Sequence, residues 1–271
     1  MGAIGVFDSG VGGLSVLREI RRELPGESLL YVADSAHAPY GDKPAAFVIE
    51  RSHALADFLI QQGATSLVVA CNTATAVAID ALRATHTVPI IGVEPAVKPA
   101  VEQTRAGVVG VLTTSRTAMS ARFSKLLVRY GGATRIAVQP CPGWVELVER
   151  GDLGGREVEG RVREYVQPLL DQGADVLVLG CTHYSFLRPA IRDIAGDGVA
   201  LIDPAPAVAS HLRHRLEHLN LLSPGGDAGE QIWTTAAPAA LASLTGRLWG
   251  QALTVRAVPP AFAGAPDAPT S

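Results

Sequence analysis

Residues 62–71, QGATSLVVAC, and residues 172–181, QGADVLVLGC, align without a gap at a separation of 110 residues, and six of the ten positions are identical. A repeat of this kind dictates two similar folding units rather than one continuous architecture. Each copy ends in a cysteine, and the chain has only three. Polar residues follow both: Asn72 and Thr73 after Cys71, Thr182 and His183 after Cys181. The likeness extends further, pairing Gly5–Ser9 with Gly110–Thr114 and Glu94-Pro95 with Asp203-Pro204. If the two units face one another, a substrate between them meets one thiol on each side. That layout suits a reaction symmetric in the two faces of its substrate.

Short β-branched runs alternate with longer stretches of helical period, the pattern of an α/β protein with mostly parallel strands. Strands are expected at 4–7, 29–33, 67–70 and 90–93, and again at 108–112, 136–140, 176–179 and 200–202. The expected fold is two similar α/β domains, each a mostly parallel sheet flanked by helices. They are related by a pseudo-two-fold axis, with the active site in the cleft between them. Residues 1–96 with 209–256 form the first domain and 97–208 the second. Residues 257–271, rich in Pro, Ala and Gly, form a flexible C-terminal extension. A total of 271 residues supports two cores.

Composition narrows the partners. A net charge of −3 without a run of Lys or Arg gives no case for nucleic acid or an anionic membrane as main partner. No apolar run approaches the roughly 18 residues of a membrane span. The start, MGAIGVFDSG, lacks a basic n-region, and Val6 stands where a myristoylation motif needs Ser or Thr. Three cysteines in apolar or loop contexts read as reduced thiols of a cytoplasmic protein.

In parallel α/β sheets, ligands bind beyond the carboxyl ends of strands. Asp8-Ser9, Cys71-Asn72-Thr73 and Cys181-Thr182-His183 all follow expected strands. Each cysteine also precedes a helical stretch, where unpaired N–H groups favour a thiolate. A lone cysteine is usually a small buried hydrophobe; the matched positions argue against that here, while Cys141, without a repeat partner, is structural. The loop Asp8-Ser9-Gly10-Val11-Gly12-Gly13 departs from a dinucleotide fingerprint at Ser15. It offers backbone donors to an anion, or else its glycines serve a turn that needs positive φ. Ala38-Pro39-Tyr40-Gly41 is either a plain turn or a second source of backbone donors for a carboxylate. His183 is placed to exchange a proton with Cys181. No His/Cys cluster has zinc spacing.

Together the stretches GVFDSGVGGLSVLREI, YVADSAHAPYGDK, LVVACNTATA, CPGWVELVERG and LVLGCTHYSFL resemble the glutamate racemase family. The resemblance implies interconversion of L- and D-glutamate without a cofactor, for cell-wall peptidoglycan, by a homodimer. It implies that Cys71 and Cys181 are the catalytic thiols, helped by Asp8, Glu149 and His183. Substrate contacts fall on Ser9, Pro39, Tyr40, Gly41, Asn72, Thr73 and Thr182, with Asp8 and His183. Cys71 would take the α-proton of D-glutamate and Cys181 that of L-glutamate. Ser185 departs from the family's usual proline, at a helix start where little effect is expected. Three alternatives remain at this stage: a racemase of aspartate or a related acid, a cysteine hydrolase using Cys181 and His183, and a two-lobed binding protein. The last two leave the duplicated thiol without a purpose.

Overall fold

The computed structural model describes residues 2–223 and 228–264. The strands are β1 (Ala3–Asp8), β2 (Ser28–Ala33), β3 (Ala64–Val69), β4 (Ile90–Gly92), β5 (Val108–Thr113), β6 (Arg135–Pro140), β7 (Val176–Gly180), β8 (Ala200–Ile202), β9 (Glu230–Thr234) and β10 (Val255–Ala257). They form two sheets, ordered β10-β9-β2-β1-β3-β4 and β6-β5-β7-β8, with every described pairing parallel. Parallel strands are covered on both faces, so they read as unbroken apolar runs. β1 is buried at all its positions, as is β7.

The duplication is written into the topology. The order β2-β1-β3-β4 in the first sheet repeats as β6-β5-β7-β8 in the second. β9 and β10, from the end of the chain, extend the first sheet at its β2 edge. The chain leaves the first sheet after β4 and returns after β8, where the helix Ala205–His218 packs along the helix Leu14–Glu23. One apolar cluster runs from Val11, Leu14 and Leu17 of the first lobe to Trp144, Leu179 and Tyr184 of the second. The lobes therefore share a core as well as a cleft.

Some local expectations need correction. Just past residue 96 lies the helix Val97–Gln103, absent from the expected elements, which packs on β5 and β7 of the second sheet. Pro99 sits in its first turn, where a missing N–H costs no helical bond. The helix Trp144–Arg150 had no counterpart in the expected pattern; its seven residues are bracketed by Gly143 and Gly151 at φ of 86° and 81°. After Cys181 the chain first makes a 3-10 helix, Thr182–Leu187, and only then the α-helix Arg188–Ala195. The C-terminal segment is no loose extension as far as residue 264. Val258 is buried, Phe262 packs against Phe58 with ring centroids 5.6 Å apart, and Arg51 Nη2 donates to the Phe262 carbonyl at 2.9 Å. Residues 265–271 of that segment lie outside the described residues. Among the described residues no helix is long and apolar enough to cross a membrane.

Candidate active site

Both sheets reverse their strand order beside their first strand, between β1 and β3 and between β5 and β7. Such switch points leave a crevice beyond the carboxyl ends of the strands. Asp8 closes β1 and Cys71 follows β3; Thr114 follows β5 and Cys181 follows β7. A single small cavity is lined by Ser9, Pro39, Tyr40, Gly41, Cys71, Asn72 and Thr73 of the first lobe. Thr114, Val145, Cys181, Thr182 and His183 of the second complete it. The two repeat thiols thus meet in one site.

The Cys181 side carries a charged relay. Cys181 Sγ lies 3.7 Å from His183 Nδ1, and His183 Nε2 lies 2.7 Å from Glu149 Oε1. His183 is almost wholly buried, which disfavours its imidazolium, yet the bonds to Cys181 and Glu149 outweigh burial and hold it well above the usual histidine range. Glu149 comes from the helix Trp144–Arg150 and stands behind His183 rather than at the cavity wall.

The Cys71 side is built differently. Cys71 caps the helix Asn72–Thr85: its sulfur accepts from the Ala74 N–H at 3.4 Å, and its thiol donates to Ser9 Oγ at 3.7 Å. The helix start was expected to lower this thiol. Instead burial pushes it far up, the nearby Asp8 carboxylate adds to the rise, and the Ala74 N–H only partly offsets them. Asp8 is fully buried, and desolvation raises its carboxyl despite the attraction of His183. Its Oδ2 accepts from the Gly13 N–H at 2.7 Å and from Thr182 Oγ1 at 3.3 Å, while Oδ1 has no hydrogen-bond partner. Asn72 Oδ1 is likewise buried without a partner. Thr73 Oγ1 and Thr114 Oγ1, one from each lobe, are 3.0 Å apart.

The glycine-rich loop does bind an anion, and that anion is the protein's own. The Val11 N–H donates to Glu149 Oε1 at 2.7 Å across the lobe interface. None of Gly10, Gly12 and Gly13 has positive φ, which removes the turn explanation for them. A Cβ on Gly10 would sit 1.8 Å from Glu149 Oε1, and one on Gly12 would sit 2.2 Å from His183 Nδ1. Gly10 and Gly12 are small because the second lobe docks against them. In the other loop, the Tyr40 hydroxyl donates to Asp34 Oδ2 at 2.5 Å, and Arg51 grips the Asp34 carboxylate through two bonds of 2.9 and 3.0 Å. Pro39 and Gly41 are thereby fixed at the cavity wall.

The sequence reading missed Thr114 and Val145 in this lining. Thr114 was within reach, because the repeat aligns it with Ser9; Val145 lies on the short helix that periodicity did not show. Cys141 is buried outside the cavity, with its thiol pushed up by burial, and donates to the Gln139 carbonyl at 3.3 Å. A larger cavity, of about 590 Å³, is lined by Arg83, His86, Arg122, His211 and Arg215. It contains neither repeat thiol. The thiol-bearing cavity offers only about 10 Å³ by the same measure, room for about one water. The lobes are closed on it.

Fold and site define a two-lobed α/β enzyme with a thiol from each lobe at the interface. The family model for Asp/Glu/Hydantoin racemase matches residues 4–212. Glutamate racemase of Methylococcus capsulatus is 51% identical over 261 residues, covering 96% of this chain and 96% of that protein. Among solved structures, the glutamate racemase isoform RacE1 of Bacillus anthracis superposes with a TM-score of 0.89 at 32% identity, covering 96% of this chain and 98% of that one. The Escherichia coli glutamate racemase in complex with L-glutamate gives a TM-score of 0.84 at 31% identity, covering 95% of this chain and 98% of that one. The chain belongs to the Asp/Glu/Hydantoin racemase family, and it is an amino-acid racemase, an isomerase.

Proposed function

We propose that this enzyme interconverts L- and D-glutamate by a two-base mechanism in which Cys71 and Cys181 work on opposite faces of Cα. The observation that carries the proposal is the cavity shared by the two repeat thiols, one from each lobe. The substrate class comes from relatives of about half identity over nearly the whole chain, all glutamate racemases.

Racemisation removes a proton from one face and returns one to the other, so each turnover needs one thiolate and one thiol. The two surroundings divide those roles. Burial and Asp8 keep Cys71 protonated, while His183, braced by Glu149, stands 3.7 Å from Cys181 Sγ to take and return its proton. This arrangement is ready for L-glutamate: Cys181 takes the α-proton and Cys71 delivers its own to the other face. The reverse turnover begins from the opposite protonation state. Asp8 Oδ1 and Asn72 Oδ1, buried and unpartnered, are the acceptors available to a substrate ammonium. The hydroxyls of Ser9, Thr73, Thr114 and Thr182 and the loop around Pro39–Gly41 hold the carboxylates. Donors fixed in a closed site stabilise charge developing on the α-carboxylate as the proton leaves. The lobes must open to admit substrate and release product.

The residues supply both bases and the charge stabilisation, so the reaction is cofactor-independent. Pure enzyme dialysed against a chelator is expected to bring the optical rotation of L-glutamate to zero; a requirement for added pyridoxal phosphate or divalent metal would overturn the mechanism. The setting is the cytoplasm, the product feeds peptidoglycan synthesis, and the working form is a homodimer. Sedimentation at working concentration tests the dimer.

A further inference from the structure

The reaction scheme leaves one buried titratable group at this site without a task. Tyr31, on β2 of the first lobe, is 1% exposed, and its hydroxyl donates to the Gly10 carbonyl at 2.6 Å. That carbonyl belongs to the Gly10–Val11 peptide, whose N–H is the donor to Glu149 Oε1 at 2.7 Å. Glu149 Oε1 in turn meets His183 Nε2 at 2.7 Å, and His183 Nδ1 faces Cys181 Sγ at 3.7 Å. An unbroken chain of polar contacts therefore runs from the core of the first lobe, through one peptide plane, to the thiol of the second.

We propose that Tyr31 is a positioning residue for the Cys181 base, acting through the Gly10–Val11 peptide on Glu149 and His183. Donation to a peptide oxygen polarises the same peptide's N–H and strengthens its own donation, as hydrogen bonds in series do in a buried setting. The phenol also pins the peptide plane, so the N–H points across the interface. Glu149 receives this bond only when the lobes are closed, because Val11 and Glu149 belong to different lobes. Lobe closure thus completes the orientation of His183 at the moment Cys181 is to act. The proposal rests on the reading that Cys181 and His183 act on L-glutamate.

The test is a double-mutant cycle. Tyr31→Phe removes the hydroxyl and keeps the ring. With L-glutamate as substrate, kcat is expected to fall roughly five- to tenfold, the size of one lost hydrogen bond, and the primary isotope effect on α-proton removal is expected to rise more from L- than from D-glutamate. In a Glu149→Ala background, followed by α-proton exchange in deuterated water, the same change is expected to cost less than about twofold because the acceptor of the Val11 N–H is gone. In an Asp8→Asn background the full loss should persist. Equal losses with and without Glu149, or a Tyr31→Phe enzyme indistinguishable from wild type, would overturn the proposal. Should Tyr31→Phe fail to fold, 3-fluorotyrosine at position 31 keeps the shape and makes a stronger donor. It is expected to shift the L-side isotope effect opposite to a weakened donor, and no shift refutes the idea. Retained racemisation in Cys181→Ser would instead overturn the two-thiol reading itself, which separates the two failures.

Discussion

Cys71 and Cys181 come from matching sequence and end in unlike surroundings. The repeat pairs Thr73 with His183: His183 Nδ1 faces the second thiol, whereas Thr73 turns to Thr114 and the first thiol meets the Ser9 hydroxyl instead. Two thiols in one buried site cannot both be charged cheaply, since charge at Cys181 raises the cost of a thiolate at Cys71. Replacing either cysteine by serine is expected to lower racemisation by at least about a thousandfold, because an alcohol does not serve as a base near neutrality; a Cys71→Ser enzyme near wild-type rate would remove Cys71 from the chemistry. His183 carries a second expectation, for stability. Its titration in the fold lies above the unfolded value of about 6.5. The stabilisation is therefore full below about pH 6.5 and is lost as pH rises through the raised value. The Tm advantage of wild type over His183→Asn should shrink between pH 6 and pH 9; an advantage that grows with pH contradicts a charged His183.

At the scale of elements, the sequence showed most of what it could encode locally. β1, β2 and β7 were expected within about one residue of where they lie, because an apolar run bounded by turn residues is a local signal, while β3 begins three residues before its expected start. The helix Trp144–Arg150 was hidden: seven residues give fewer than two turns in which periodicity can show itself. Its loss concealed Val145 and left Glu149 to be placed by the family resemblance alone. The glycine loop was visible as a motif, but not its reason, which is the nearness of a different lobe and so no property of the loop's own sequence. Gly12→Ala puts a methyl group into His183. It should fold with a modest loss of stability and lose racemase activity by about a hundredfold or more, the scale of misplacing a reacting group by about 1 Å. Activity within about twofold of wild type would show that the lobes need not meet at this point. Beneath the other loop, Arg51 and Asp34 are both buried, at 6% and 0% side-chain exposure. Removing Arg51 strands the carboxylate, and Arg51→Ala is expected to cost about 3–5 kcal/mol in urea unfolding; a cost below about 1 kcal/mol would mean that Asp34 finds another partner.

At the scale of the molecule, the duplicated sheets do more than bring two thiols together. A site with room for about one water cannot admit glutamate as it stands. The lobes must part to admit substrate, although their shared core near Trp144 and Leu17 keeps them associated. Arg122 spans the crossing after β4, pairing with Glu94 at 2.5 Å and Asp80 at 3.2 Å. Those carboxylates are 39% and 84% exposed, so the pairs resist opening only weakly. Opening and closing must then occur in every turnover, and such motions often limit an enzyme whose chemistry is fast. If they do so here, kcat falls in proportion to solvent viscosity when sucrose is added. In His183→Asn the chemical step is slowed, and the viscosity dependence should disappear while the isotope effect on α-proton removal grows. A wild-type kcat that ignores viscosity, together with a full isotope effect in both directions, would place the slow step at the thiols and make closure a rapid pre-equilibrium.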